Sequence, residues 1–133
     1  MIKRISHIGI AVSNLEEASS FFEDVFNLST TAFENFGELR FSFLPLGGTD
    51  LELLQSTTDD GVISKYIQKK GQGVHHLSFE VDDIRAELDR LKEKGIQLIN
   101  EKPYRNAHNE WVAFIHPKST YGILTELIQK EQG

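Results

Sequence analysis

The chain has 133 residues and a formal net charge of −6, which fits one compact domain and argues against a nucleic-acid partner. It contains no cysteine, so disulfides, thiolate metal sites and cysteine nucleophiles are excluded, and a metal ion would need nitrogen and oxygen ligands. No apolar stretch approaches the roughly 18 residues that span a bilayer, and the N-terminus lacks the apolar core of a signal peptide. We therefore expect a cytoplasmic protein with no membrane partner.

The first half of the chain is predicted to contain a strand, a helix and a hairpin. Apolar residues alternate with small or polar ones over residues 7–12, which is the period of a strand. Ser13 and Glu16 have the spacing of a capping box at a helix start, and Gly47 and Gly48 separate two apolar runs as a hairpin turn does. The predicted elements are a strand at 7–12, a helix at about 15–27 and hairpin strands at 41–46 and 51–54.

The second half repeats this order of elements. Residues 76–81 begin with a histidine and alternate as residues 7–12 do, and Asp82 and Asp83 are typical of a helix start. The predicted elements are a strand at 76–81, a helix at about 84–94 and hairpin strands at 112–117 and 125–128. The sequence therefore predicts one domain over 1–133, with βαβββ modules at about 3–56 and 73–130 and a linker helix at about 57–72.

Strand parity distinguishes the histidines of the two modules. Side chains alternate between the two faces of a strand. We expect the more apolar face of residues 7–12 to pack under a helix, and the side chain of His7 projects from the other face. His76 has the same position in the second module. Its neighbour His75 faces the helices and is predicted to be structural.

Two glutamates occupy equivalent positions in apolar strands. Glu52 follows Leu51 and precedes Leu53, and Glu126 lies between Thr125 and Leu127. A carboxylate in so apolar a strand is costly to bury unless something pairs with it. If the modules are related by a pseudo-twofold axis, two imidazoles and two carboxylates converge, which is a suitable set of ligands for one divalent cation.

Two loops offer weaker candidates. The turn at residues 116–119 could present a cation and hydroxyl groups to an anionic ligand, or it could be a solvated hairpin. The polar loop at 104–109 could act as a lid. No nucleophilic triad, phosphate-binding loop or dinucleotide fingerprint is visible in the sequence.

The chain resembles the vicinal oxygen chelate superfamily, and within it the methylmalonyl-CoA epimerase family. The resemblance runs from the strand at 7–12 to Glu126 and is most specific over residues 73–84 and 112–119. It implies an α+β fold in which two pseudo-symmetric βαβββ modules form a cupped mixed sheet around a metal site. It places the ligands at His7, Glu52, His76 and Glu126, without deciding among Co, Ni, Mn, Zn and Mg, and it implies a homodimer.

The reaction that this resemblance implies is epimerisation of a 2-substituted malonyl-CoA thioester. The α-proton is abstracted, the metal stabilises the enediolate, and Glu126 beside the metal is the expected base. The second acid of the family falls near Arg40, so we expect Glu38 to serve, with Glu34 as an alternative. Lys118, Ser119 and Arg40 are the expected substrate-binding residues.

Three other functions were compared with the sequence. The first is a glyoxalase-I-type lyase acting on a thiol hemithioacetal, because the same ligands would serve it. The second is a non-catalytic small-molecule binding module, although such members of the superfamily generally lack the four ligands. An iron-dependent extradiol dioxygenase would need two histidines and one carboxylate, so the presence of Glu52 argues against it.

Overall fold

The computed structural model describes residues 1–130 of the chain. No helix in that range is both long enough and apolar enough to cross a membrane. The strands are β1 Ile2–Ala11, β2 Glu34–Phe36, β3 Leu39–Leu46, β4 Thr49–Ser56, β5 Gly73–Val81, β6 Tyr104–Arg105, β7 Trp111–Ile115 and β8 Thr125–Gln129. The helices are α1 Leu15–Phe26, α2 Val62–Lys70 and α3 Ile84–Glu93, and a short 3-10 helix covers Pro117–Ser119.

The eight strands hydrogen-bond in the order β2-β3-β4-β1-β5-β8-β7-β6. The pairs β1–β4 and β5–β8 are parallel, whereas β2–β3, β3–β4, β6–β7 and β7–β8 are antiparallel. The sequence β1-α1-β2-β3-β4 is repeated as β5-α3-β6-β7-β8. This order confirms the predicted α+β class, the mixed sheet and the strand-helix-three-strand repeat.

The chain divides into two compact units, which are described separately. The first unit is His7–His75, and the second is Met1–Ser6 together with the residues from His76 onward. Each unit holds its own hydrophobic clusters.

In the first unit the two sheet faces carry different helices. Ile10 and Val12 pack with Leu15 of α1, as strand parity predicts for the face opposite to His7. On the other face, Ile63 of α2 packs on Phe41. Both helices are therefore held by burial of an apolar stripe.

The N-cap of α1 differs from the prediction. Its N-cap is Asn14, whose side chain accepts a hydrogen bond from the backbone N–H of Glu17. Ser13, the predicted cap, lies one residue earlier, and its backbone N–H donates to the side chain of Gln72. Asn14 has the extended backbone of a cap residue, and asparagine satisfies this position as well as serine does. The helix begins at Leu15, as predicted, and only its cap residue differs.

The glycines of the first hairpin are at the predicted turn. Gly47 and Gly48 join β3 to β4, with φ of +66° and +122°. L side chains rarely adopt these angles, so glycine allows the tight reversal.

In the second unit α3 covers one face of the sheet. Ile84 and Leu88 pack with Val81, Ala113 and Leu127. Asp83 caps the helix, because its side chain accepts a hydrogen bond from the backbone N–H of Ala86. The predicted capping role at this position is confirmed. The sheet face that carries Val81 is covered by α3, and His76, with the opposite parity, belongs to the other face.

Candidate metal centre

His7 and Glu52 form a close polar pair in the first unit. Residue Gly9 of β1 pairs with Glu52 of β4, so the histidine lies two residues before the partner of the glutamate. The Nε2 atom of His7 is 3.4 Å from Oε1 of Glu52. The imidazole is nearly buried, and its ring meets the ring of Phe43 edge-on at 6.2 Å. Packing against an aromatic ring restricts the orientation of this imidazole.

His76 and Glu126 have the same arrangement in the second unit. Ser78 of β5 pairs with Glu126 of β8, so His76 again lies two residues before the partner of the glutamate. The ring of His76 meets the ring of Phe114 edge-on at 5.8 Å, and Phe114 is directly opposite Glu126. Both the histidine and the glutamate are buried. The two modules therefore present equivalent His/Glu pairs, each beside a phenylalanine.

Three of the four predicted ligands form a group that could hold a metal ion. His7, Glu52 and His76 each offer one ligand atom, and these atoms lie within 4.8 Å of one another. Two ligand atoms that bind one ion at about 2.1 Å each are roughly 3–4 Å apart, and the 3.4 Å between His7 and Glu52 falls in that range. Imidazole nitrogen and carboxylate oxygen suit a divalent cation.

Strand parity places His75 on the same face of β5 as Val81, which packs against α3. The ring of His75 meets Tyr66 of α2 edge-on, with 4.8 Å between the ring centroids. The Tyr66 hydroxyl in turn donates a hydrogen bond to the carbonyl of Val74. His75 thus packs against an aromatic side chain, and alternation along the strand places its neighbour His76 on the other face of β5.

Tyr104 is a residue of this region that the sequence did not single out as a site residue. It pairs with Val112 across β6 and β7, and Val112 pairs with Ile128, two residues from Glu126 on the same face of β8. Partial burial raises the pKa of the Tyr104 hydroxyl, and the negative charge of Glu126 raises it further. Tyr104 therefore keeps its proton and remains a hydrogen-bond donor near Glu126. A tyrosine in a polar loop carries no sequence signal that distinguishes it from a surface tyrosine.

Glu38, the expected second acid, lies in the turn between β2 and β3. Its Oε1 accepts a hydrogen bond of 3.2 Å from the backbone N–H of Val62, the first residue of α2. Its carbonyl accepts hydrogen bonds from the backbone N–H and the hydroxyl of Thr57. These contacts give Glu38 a structural role at the start of α2.

Arg40, an expected substrate-binding residue, contacts α1. Its Nη1 lies 3.0 and 3.1 Å from the two carboxylate oxygens of Glu16. This hydrogen bonding lowers the pKa of Glu16. The guanidinium also lies 5.6 Å from the ring centroid of Phe33. Arg40 thus lies within β3, whereas Glu38 lies in the turn before its first residue, Leu39.

Lys118 and Ser119 are in the 3-10 helix between β7 and β8. The backbone N–H of Lys118 donates to Nδ1 of His116, and its side chain is at an exposed position. The Ser119 hydroxyl oxygen accepts a hydrogen bond from the backbone N–H of Gln97. His116 therefore orders this turn and leaves the Lys118 ammonium group facing solvent.

The sequence and the structure both match known proteins. The family profile of the Glyoxalase/Bleomycin resistance protein/Dioxygenase superfamily matches residues 6–114. The chain therefore belongs to this superfamily, and its homologues there include methylmalonyl-CoA epimerases.

Two curated relatives cover almost the whole chain. The mitochondrial methylmalonyl-CoA epimerase of Mus musculus is 39% identical over 95% of this chain and 72% of its own length. The ethylmalonyl-CoA/methylmalonyl-CoA epimerase of Cereibacter sphaeroides is 35% identical over 97% of this chain and 99% of its own. A solved structure of Streptomyces coelicolor methylmalonyl-CoA epimerase, in complex with 2-nitronate-propionyl-CoA, has a TM-score of 0.91 and 30% identity. It matches 98% of this chain and 96% of the solved one.

Proposed function

We propose that the protein is a metal-dependent epimerase of a 2-substituted malonyl-CoA thioester, with methylmalonyl-CoA as the first substrate to test. The observation that carries the proposal is the His/Glu pair, which occurs once in each module. In each pair, the glutamate is paired across the sheet with the residue two positions after the histidine. The epimerases among the relatives support the substrate class.

The proposed ligands of the metal ion are His7, Glu52, His76 and Glu126. Two neutral imidazoles and two carboxylates balance the charge of a divalent cation, and nitrogen and oxygen donors are compatible with Co, Ni, Mn, Zn or Mg. When bound, the ion would supply positive charge that stabilises the carbanion formed next to the thioester carbonyl.

Glu126 is the proposed base for the α-proton. A carboxylate is a suitable proton acceptor when it lies within hydrogen-bonding reach of the acidic carbon. Its near-burial strengthens electrostatic interactions with a charged reacting group, and Phe114 lies directly opposite it on β7. Tyr104 retains its proton near Glu126, and we propose that it helps to orient this carboxylate or the substrate.

The CoA part of the substrate needs polar and cationic contacts. We propose that Lys118 supplies a charge to a phosphate or carboxylate group and that Ser119 contributes through its hydroxyl. This proposal is supported by the hydrogen bond from the backbone N–H of Lys118 to Nδ1 of His116, which fixes the backbone of the 3-10 helix. The substrate role predicted for Arg40 stays a prediction, and so does the homodimer, which sedimentation equilibrium would test.

The experiment is deuterium exchange into the α-position of methylmalonyl-CoA in D2O, with metal-loaded protein and a chelator-treated control. We expect fast exchange and loss of stereochemistry with the metal-loaded protein and neither with the control. The matched variant His76→Ala should behave like the chelated protein. If the loaded protein gives no exchange but isomerises a thiol hemithioacetal, the lyase activity replaces this proposal.

A further inference from the structure

Ser78 is a serine of β5 that the proposed reaction leaves without a role. It is fully buried, with 0% of its surface exposed, and within residues 1–130 its hydroxyl oxygen has no hydrogen-bond partner. A buried hydroxyl in this state destabilises the folded protein, because it has lost its hydrogen bonds with water and gained none in return. The presence of serine at this position therefore needs an explanation other than stability.

Ser78 projects from the same sheet face as His76 and Glu126. Side chains two residues apart on a strand share a face, so Ser78 lies on the face of His76. Glu126 is directly paired with Ser78 in the parallel β5–β8 pair, and directly paired residues also share a face. Their neighbours Phe79 and Leu127 pack in the apolar cluster under α3. This packing agrees with the assignment of Ser78 and Glu126 to the other face.

The row of paired residues that contains Glu126 has a counterpart in the first unit. There, Glu52 is directly opposite Phe43 on one side and Gly9 on the other. In the second unit the glutamate again has a phenylalanine on one side, but it has Ser78 on the other. Glycine has no side chain that could contact a carboxylate. Of the two rows, only that of the second module therefore places a hydroxyl group next to its glutamate.

A hydroxyl group at this position suits a carboxylate that needs a fixed orientation. The oxygens of an ionised carboxylate only accept hydrogen bonds, and a serine hydroxyl is a donor that turns with rotation about one side-chain bond. Neighbouring strands are about 4.8 Å apart, so rotation of the two side chains is enough to bring donor and acceptor together. A hydrogen bond to a charged oxygen is shorter and stronger than one between neutral groups.

We propose that the Ser78 hydroxyl donates a hydrogen bond to the Glu126 carboxylate in the metal-loaded protein and so fixes the orientation of that carboxylate. The proposal rests on the proposed function, in which Glu126 is a metal ligand and the base. Ser78 is a positioning residue, because it acts through Glu126 and not on the substrate. The carboxylate of Glu52 receives no such contact from Gly9, and the two glutamates therefore differ in how they are held.

The test compares Ser78→Ala with Ser42→Ala. Ser42 of β3 is also fully buried, and its hydroxyl oxygen likewise has no hydrogen-bond partner in the described part of the chain. It lies two residues before Leu44, which packs with Leu15 of α1, so it projects toward this helix. The two variants remove the same group from equally buried positions, and only Ser78 shares a face with a proposed metal ligand.

The two variants should differ in metal binding and turnover but not in folding. In chelator-treated protein, the thermal midpoint of each should equal or exceed that of the wild type, because each loses a buried hydroxyl without a partner. The affinity of Ser78→Ala for Co2+, measured by calorimetry without substrate, should fall by about 10-fold or more. With saturating metal, its kcat for methylmalonyl-CoA should fall by about as much, with little change in KM. Ser42→Ala should keep the wild-type affinity and kcat.

A third variant separates the hydroxyl group from the volume of the side chain. Ser78→Thr keeps the hydroxyl and should recover most of the lost affinity for Co2+. An equal loss in folded Ala and Thr variants would overturn the proposal, as would wild-type affinity and kcat in Ser78→Ala. A lower thermal midpoint of chelator-treated Ser78→Ala would also overturn it, because the hydroxyl would then hold the fold. Failure of the proposed function is distinguishable, because the wild type would then bind Co2+ without exchanging the α-proton of methylmalonyl-CoA.

Discussion

The Nε2 atom of His7 lies 3.4 Å from Oε1 of Glu52, although α1, β2 and β3 separate the two residues in sequence. The parallel pairing of β1 with β4 brings them together, because Glu52 pairs with Gly9, two residues after His7. The second unit repeats this register for His76 and Glu126. The pair is therefore a property of the βαβββ module, and the protein contains it twice.

Replacement of His76 should separate metal binding from folding. We expect His76→Ala to lose the metal and to lower turnover by more than the roughly 10–100-fold that loss of a residue supporting a ligand typically causes. The measurement is metal content after gel filtration together with the exchange rate.

Its neighbour His75 is the matched control for that variant. His75→Ala removes the edge-on contact with Tyr66, so the free energy of unfolding should fall by about 0.5–1.5 kcal/mol. Metal content should stay at the wild-type level. Loss of metal from His75→Ala with retention in His76→Ala would reverse the assignment of the two strand faces.

Glu126→Gln should change the titration of Tyr104. The negative charge of Glu126 contributes to the raised pKa of this tyrosine. Removal of that charge should lower the pKa of Tyr104 toward the ordinary tyrosine value, while burial of the hydroxyl still keeps the pKa above that value. The measurement is phenolate absorbance against pH in chelator-treated protein, with Tyr104→Phe to identify the signal. An unchanged titration would show that the two side chains do not interact in solution.

Gly61→Ala should destabilise the start of α2. Gly61 is the N-cap of that helix, and a Cβ there would lie 2.6 Å from Cβ of Ser56 and against the Glu38 carboxylate. The φ of −67° suits any residue, so steric overlap alone should cost about 1–3 kcal/mol in urea unfolding. Glu38→Ala in the same protein should recover part of the loss, since contacting residues are coupled. Strictly additive effects would exclude this contact as the cause.

The module repeat could be predicted because it depends on local patterns. Strand alternation placed His7 and His76 on one face and His75 on the other, and the structure supports both through the packing of α1 and α3. Asn109 has a φ of +61°, a left-handed backbone that asparagine adopts more readily than most residues.

What the sequence missed depends on pairing between strands that are distant in sequence. The register that sets Glu34 opposite Phe41 follows from the β2–β3 turn, whose exact residues no periodicity determines. The hydrogen bond from the Val62 backbone to Glu38 likewise requires α2 to pack against this turn. A carboxylate that caps a helix and one that faces a substrate have the same sequence signal. The contact of Glu38 with the start of α2 therefore could not be predicted from the sequence.

The pair of Arg40 and Glu16 should make stability depend on pH. Hydrogen bonding to Arg40 lowers the pKa of Glu16 in the folded protein, so this contribution to stability is present above the unfolded pKa of about 4.5 and is lost as the pH falls through the folded value. We expect Arg40→Gln to lower the urea midpoint at pH 7, and the difference from wild type to shrink below the unfolded pKa of Glu16. Because the pair is exposed to solvent, added salt should also reduce the difference. An equal difference at all pH values would assign the effect to packing of Arg40 on Phe33. The KM of the same variant tests its predicted contact with the substrate: an unchanged KM would restrict Arg40 to holding α1 against the sheet.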